Sequence, residues 1–138
     1  STSDQVTGFE DWMPTLLQLV GEKNRTPKNI DGISFASVLL GKKLPERPFL
    51  YREFSSRTGQ QAIRVGDWKG VRTNVMPKGN AQPDLHIALY NLKTDIAESK
   101  DVSAQHPKIV AQMEKLMREQ HVPSKEFPLP ALDNLMTD

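Results

Sequence analysis

Any chemistry in this chain must come from three histidines, a few carboxylate clusters and scattered serines and arginines, because its 138 residues include no cysteine. That removes disulfides, thiolate metal sites and a cysteine nucleophile, and leaves the redox compartment open. His86, His106 and His121 stand far apart, and no pair has the close spacing on one helix face or loop that marks a zinc site. They are expected to be surface or capping histidines. Asp95, Glu98 and Asp101 gather near a turn, but the alternating Asp/Asn ligands and turn glycine of a calcium loop are missing, so capping and solvation are expected. Ser34, Ser55 and Ser56 lack a Gly-x-Ser-x-Gly setting, and no glycine-rich loop is built to cradle phosphate. Trp68, Tyr51, Phe54 and Tyr90 have the types to stack on a sugar ring, yet aromatics in strands serve more often as core or cross-strand pairs. Arg52, Arg57, Arg64 and Arg72 could meet an anionic ligand. On strand faces such charges are usually solvated, which leaves the loop residue Arg57 the best placed. Spacing alone therefore defines no active site.

The elements that would position these residues are clearer. Met13, Leu16, Leu17 and Val20 repeat at i, i+3, i+4 and i+7, one face of a helix with Asp11 as its N-cap, Pro14 in the first turn and Gly21 at the end. Residues 22–30 are polar and read as an exposed loop. Ser34 is expected to cap a short helix carrying Phe35, Val38 and Leu39, stopped by Gly41. Pro45 and Pro48 bracket a linker, with a subdomain boundary near it. Beyond it the period falls to two. Strands are expected over 49–54, 60–65, 68–73 and 86–92, the middle pair joined by a Gly66-Asp67 turn. Residues 74–84 form a loose excursion. Consecutive strands joined this way favour an antiparallel sheet, giving an α+β fold. Asp95 and Glu98 have capping-box spacing. Pro107 opens a last helix whose apolar face (Ile109, Met113, Leu116 and Met117) needs a cover, most simply one side of the sheet, with Glu114 and Arg118 as an i, i+4 pair. The proline-rich stretch 123–130 should run extended over a surface.

Composition excludes some classes. With 18 basic and 17 acidic residues the net charge is +1, so the basic excess of a duplex-binding domain is absent and nucleic acid is not an expected partner. No apolar run approaches the length of a membrane span. The first residues lack the blocks of a signal peptide, which in a piece of a longer protein says nothing of export.

Six segments, in order, carry a resemblance. They are Asp11-x-x-Pro14-Thr15-Leu16-Leu17, Ile30-Asp31-Gly32-Ile33-Ser34-Phe35, Leu50-Tyr51-x-Glu53-Phe54, Gln61-Ala62-Ile63-Arg64-x-Gly66-Asp67-Trp68-Lys69, Leu89-Tyr90-Asn91-Leu92 and the His106-Pro107 helix start. Together they resemble the carboxy-terminal region of a bacterial sulfatase, of the arylsulfatase or N-acetylgalactosamine-6-sulfatase-like type in the alkaline-phosphatase superfamily. The resemblance implies a four-stranded antiparallel sheet packed by a C-terminal helix, preceded by the terminal helices of an α/β catalytic domain. Residues 1–44 would then end that catalytic domain, and 45–138 would be the C-terminal subdomain. It also implies hydrolysis of sulfate esters by a formylglycine made within a C/S-x-P-x-R motif. A calcium ion on Asp and Asn/Gln side chains would neutralise the sulfate oxygens, aided by Lys, His and Arg. None of those parts lies in this sequence, so no catalytic residue, metal ligand or cofactor is expected here, and the chain by itself should be inactive. Its expected partners are its own upstream catalytic domain and, for the whole enzyme, a sulfated carbohydrate or aryl sulfate. The expected location is periplasmic or secreted. Cleft-rim residues by this reading are Ser55, Arg57 and Gln60, with Glu53 behind them. Two departures stand out. The Tyr-Trp-Glu-Phe-His pattern of relatives has Arg52 and Ser55 in place of Trp and His, and Ile96 replaces the proline of Asp-Pro-x-Glu. Two other readings stay open: a free-standing α+β binding module, and the tail of a sulfatase relative whose nucleophile is lost.

Overall fold

The computed structural model describes residues 2–44 and 46–136, so the expected role of Pro45 lies outside the described residues. The chain divides into two compact units, one ending at Pro48 and one starting at Phe49.

In the first unit a 3-10 turn, Phe9–Asp11, leads into helix α1, Trp12–Leu19, and a second short helix, α2, spans Ala36–Leu39. Helix α1 closes as the sequence predicts. Gly21 N–H donates to Gln18 O and Glu22 N–H to Leu17 O, so two orphan carbonyls find partners. Its start differs from expectation. The Asp11 carboxylate makes no cap bond to α1. It accepts instead from Gly8 N–H and Ile33 N–H, both at 2.7 Å, and from Arg47. A buried carboxylate needs every lone pair occupied, and three converging donors do that better than one cap bond. Thr15 extends the knot by donating to Asp11 O at 2.6 Å and accepting Phe35 N–H at 3.0 Å. Burial in α1 therefore falls on Pro14 and Thr15, while the predicted apolar face is left open: Leu16 is 53% exposed, and Trp12, Met13, Leu19 and Val20 are exposed beside it. Phe35, not Ser34, takes the N-cap place of α2, and Ser34 Oγ accepts Ala36 N–H at 3.3 Å from one residue further out. The 22–30 loop contains one 3-10 turn, Lys23–Arg25.

The second unit is an antiparallel meander, β1-β2-β3-β4, with strands Leu50–Phe54, Gln60–Val65, Trp68–Thr73 and Ala88–Asn91. The middle strands have the predicted bounds. Gly66, at φ +56°, takes the first central place of the turn, where positive φ is needed and a Cβ is costly. The turn fixes the register Val65↔Trp68, Ile63↔Gly70 and Gln61↔Arg72. Helix α3, Pro107–Gln120, lies across one face and buries Met113 and Met117 against Ile63, Ile87 and Leu89. This is the cover its apolar stripe required. The segment expected to run extended instead ends in a helical turn, α4, Pro130–Asp133, and Leu129 and Leu132 pack on Val75 as a second small core. Asp95 and Glu98 form no capping box, because no helix follows them. Asp95 accepts Ser99 N–H and Lys100 N–H, both at 2.9 Å, and Glu98, at φ +53°, pairs with Lys69.

Gly70 decides how closely α3 approaches the sheet. A Cβ there would sit 2.8 Å from Met113 Sδ and 3.1 Å from Ile87 Cγ2. Gly70→Ala should be absorbed by a shift of the Met113 chain, at about 1 kcal/mol, whereas Gly70→Val should cost roughly 3 kcal/mol through overpacking. Urea unfolding of both variants checks this, and a neutral valine would mean that the close approach is not needed.

Candidate functional site

The register set by the Gly66 turn places Glu53, Gln61 and Arg72 on one rung across three strands, beside the apolar rung Tyr51, Ile63, Gly70 and Leu89. Both rungs face α3. The polar rung is buried: Arg72 is only 2% exposed. Its guanidinium donates to Gln61 Oε1 at 3.1 Å, to Glu114 Oε1 on α3 at 2.9 Å and to Leu85 O at 2.9 Å. Gln61 Nε2 donates to the Tyr51 hydroxyl at 2.8 Å, and that hydroxyl donates to Glu53 Oε1. His121 follows the last turn of α3. Its Nδ1 lies 2.6 Å from Glu53 Oε1 and its Nε2 lies 2.8 Å from Asp133 Oδ1 on α4. One polar chain thus runs from α3 through the sheet to α4, each member orienting the next.

The electrostatics follow from these contacts. Burial alone would lower the His121 pKa. Its bonds to Glu53 and Asp133, with their charge, outweigh that and raise it above the ordinary 6.5. The end of a helix also favours a cation. Burial and the Glu53 acceptor push the Tyr51 hydroxyl up, so it stays a donor. Burial lowers the Arg72 pKa, with Glu114 opposing. Elsewhere, burial raises Asp101, but bonds from His86, Leu89 N–H and Ser103 outweigh it and hold this carboxyl well below the usual carboxylate range.

Beside Glu53 lies an open groove of about 440 Å³ lined by Glu53, Phe54, Ser55, Ser56, Ser124, Phe127 and Leu129. Phe54 is 55% and Phe127 66% exposed. Ser124 Oγ accepts Phe127 N–H at 3.2 Å and so fixes the turn that presents the ring. Among the described residues, both donors to Glu53 converge on Oε1, and Oε2 takes none. Of the four residues that sequence reasoning placed at a rim, Glu53 and Ser55 meet in this groove. Arg57, at φ +60°, and Gln60, opposite Phe54 in the ladder, are exposed and do not line it.

Sequence reasoning missed the buried members. It takes Arg72 for a solvated strand charge and His121 for a surface or capping residue. His86, exposed and 2.8 Å from Asp101, and His106, packed 4.8 Å from Trp68, fit that description; His121 does not. The signal for Arg72 was available, since residues 68, 70 and 72 share one face of β3 and Gly70 faces the core. The predicted Glu114–Arg118 pair is replaced by Glu114–Arg72, and the ion pair at that spacing on α3 is Lys115–Glu119 at 3.8 Å.

Among the described residues no group of three or more His, Asp or Glu side chains is placed to hold a metal ion. His121 offers no lone pair toward one, as each ring nitrogen is given to a carboxylate.

A four-stranded meander covered by one helix, with a polar array ending at an open groove, defines an α+β unit that presents a site at one end of its sheet. Comparison with known proteins gives this class a family context. No family model matches the chain. An N-acetylgalactosamine-6-O-sulfatase of Bacteroides thetaiotaomicron is 29% identical over 93 residues, covering 63% of the chain and 18% of that relative. A solved sulfatase of the same organism, tied to the metabolism of multiple glycosaminoglycans, is 26% identical with a TM-score of 0.57, over 79% of this chain and 24% of its own. A second solved structure from that organism and setting shares the fold over 96% of the chain and 28% of its own, with a TM-score of 0.63 at 13% identity. The chain resembles the carboxy-terminal region of a bacterial sulfatase, and it spans under a fifth of the curated relative's length. No helix among the described residues is long and apolar enough to cross a membrane.

Proposed function

We propose that the chain is the carboxy-terminal part of a periplasmic or secreted sulfatase that cleaves sulfate esters of a glycan or an aryl alcohol. In this reading residues 1–44 finish the catalytic domain and 45–138 form a subdomain that braces it. Formylglycine and calcium are supplied by residues outside this sequence; calcium, when bound there, would neutralise the sulfate oxygens. The rim of the cleft includes Glu53, Ser55, Arg57 and Gln60. The observation that carries the reading is the sequence similarity to an N-acetylgalactosamine-6-O-sulfatase. The open apolar face of α1 supports it, since a face of that size calls for a cover and a catalytic domain would give one.

Two measurements test the proposal. The full-length protein should release sulfate from 4-nitrophenyl sulfate or sulfated N-acetylgalactosamine, with the residue of an upstream C/S-x-P-x-R motif converted to formylglycine in peptide mass mapping. The 138-residue chain should release none. The chain alone should also bind an apolar dye, and Leu16→Glu with Leu19→Glu should remove most of that signal without changing its stability. A full-length protein with no such motif and no sulfate release would leave a binding module or a dead relative instead.

A further inference from the structure

We infer that the groove at the end of β1 is a subsite for an uncharged pyranose ring, which rests its C–H face on Phe127 and donates a hydroxyl to the Glu53 carboxylate. The inference deepens the cleft-rim reading and rests on it for placing Glu53 and Ser55 beside a cleft. Three observations on this groove choose the ligand class.

The first is the acceptor. Glu53 Oε1 takes both Tyr51 and His121, which leaves Oε2 without a donor among the described residues, and Glu53 lines the groove. A hydroxyl donating to such an oxygen makes a charge-assisted bond, stronger than a neutral one. The second is the wall. The largely exposed Phe127 and three serines line the same groove, pairing an apolar face with short hydroxyl donors and acceptors. A pyranose has that composition, with C–H faces and a rim of hydroxyls, and aromatic faces carry the negative potential that C–H groups seek.

The third is charge. Glu53 and Asp133 bring two carboxylates to one imidazolium, and Arg72 is already committed to Glu114. Glu53 and Asp133 with a protonated His121 carry one net negative charge, which disfavours a sulfate group placed at Glu53. The ring that docks here is an unsulfated part of the substrate, and the sulfate points elsewhere. Tyr51 and His121 act as positioning residues, since each reaches the ligand only through Glu53.

The test is an NMR titration of the 15N-labelled chain with galactose, glucose, lactose and N-acetylgalactosamine, and with N-acetylgalactosamine 6-O-sulfate as the charged counterpart. At least one uncharged sugar should move the amide signals of Ser55, Ser56, Ser124 and Phe127 with a millimolar dissociation constant. The 6-O-sulfate should bind more weakly than N-acetylgalactosamine. Phe127→Ala, which alters an exposed ring, should weaken binding roughly tenfold while the spectrum stays dispersed. Glu53→Gln should narrow the gap between the sulfated and unsulfated sugars. The subsite is overturned if no uncharged sugar shifts those amides, if Phe127→Ala binds as tightly as the parent, or if the sulfated sugar binds best. Sulfate release by the full-length protein reads the rim proposal separately. Release without groove binding sinks the subsite alone, and groove binding without release sinks the sulfatase reading alone.

Discussion

Arg72→Met should destabilise the second unit by about 3 kcal/mol. The guanidinium holds three acceptors at once: the buried Gln61 amide oxygen, the Leu85 carbonyl and the Glu114 carboxylate. Methionine matches much of its length and apolar stem, so the loss is mostly polar. Glu114 is half open to water and can be rehydrated cheaply. Gln61 is 1% exposed and cannot; an orphaned amide oxygen at that depth costs about 1–3 kcal/mol, and the Leu85 carbonyl loses its bond as well. The effect should also travel. Gln61, freed from Arg72, no longer has its amide held toward the Tyr51 hydroxyl, so Glu53 loses orientation one step further on. Melting followed by Trp68 fluorescence in a Trp12→Phe background measures the change, with a midpoint lower by about 15 °C. Arg72→Met combined with Gln61→Leu should recover part of the loss, because removing both partners leaves nothing unsatisfied between them. If the single variant melts like the parent, Arg72 is a passenger and the polar rung does not hold the sheet to α3.

The difference between what the sequence disclosed and what it concealed follows the range of the interactions. Strands β2 and β3, their turn and helix α3 rest on neighbours a few residues away: alternation, Gly66, Pro107 and a 3.6-residue stripe. The antiparallel α+β fold follows from those signals, as does the sulfatase resemblance, which uses the same segments. The polar array rests on partners far apart. Arg72 meets Glu114 across 42 residues and His121 meets Glu53 across 68. No local spacing marks either pair, so each residue taken alone looks like a solvated charge. Asp11 shows the same limit. Its position before a helix predicts a cap, but Ile33 and Arg47 claim its oxygens from 22 and 36 residues away. The face of α1 shows a complementary limit: periodicity says which side of a helix is apolar, and only the fold says whether anything covers it. Glu53 and Ser55 come together in the groove because they sit at the end of one strand and in its loop, whereas Ser124 and Phe127 reach it from the other end of the unit.

His121→Ala should cost the second unit about 2–3 kcal/mol at pH 6 and much less at alkaline pH. The imidazole is 5% exposed and joins the end of β1 to α4, so truncation leaves the Glu53 and Asp133 carboxylates close together without the cation between them. Both acids are partly hydrated, which keeps the cost below that of a fully buried pair. The pH dependence follows from linkage. The two carboxylates raise the folded-state pKa of His121 above the 6.5 of the unfolded chain, although burial opposes them. Between those two values the folded chain holds more protons than the unfolded one, so stability falls as pH rises. The contribution is complete below about pH 6.5 and is lost as pH climbs through the raised value. Urea unfolding from pH 5.5 to 9 should therefore show a decline in the parent across that window and a flatter profile in His121→Ala. Equal slopes in the two proteins would show that the imidazolium does not tie α4 to the sheet. A steeper loss in the parent should coincide with release of the turn between Ser124 and Leu129, since that segment leads from His121 to the helix it anchors and forms one wall of the groove. Ligand binding there should weaken over the same pH range, because a neutral imidazole can donate to only one of Glu53 and Asp133, and the loss should follow the titration of His121 rather than that of any sugar.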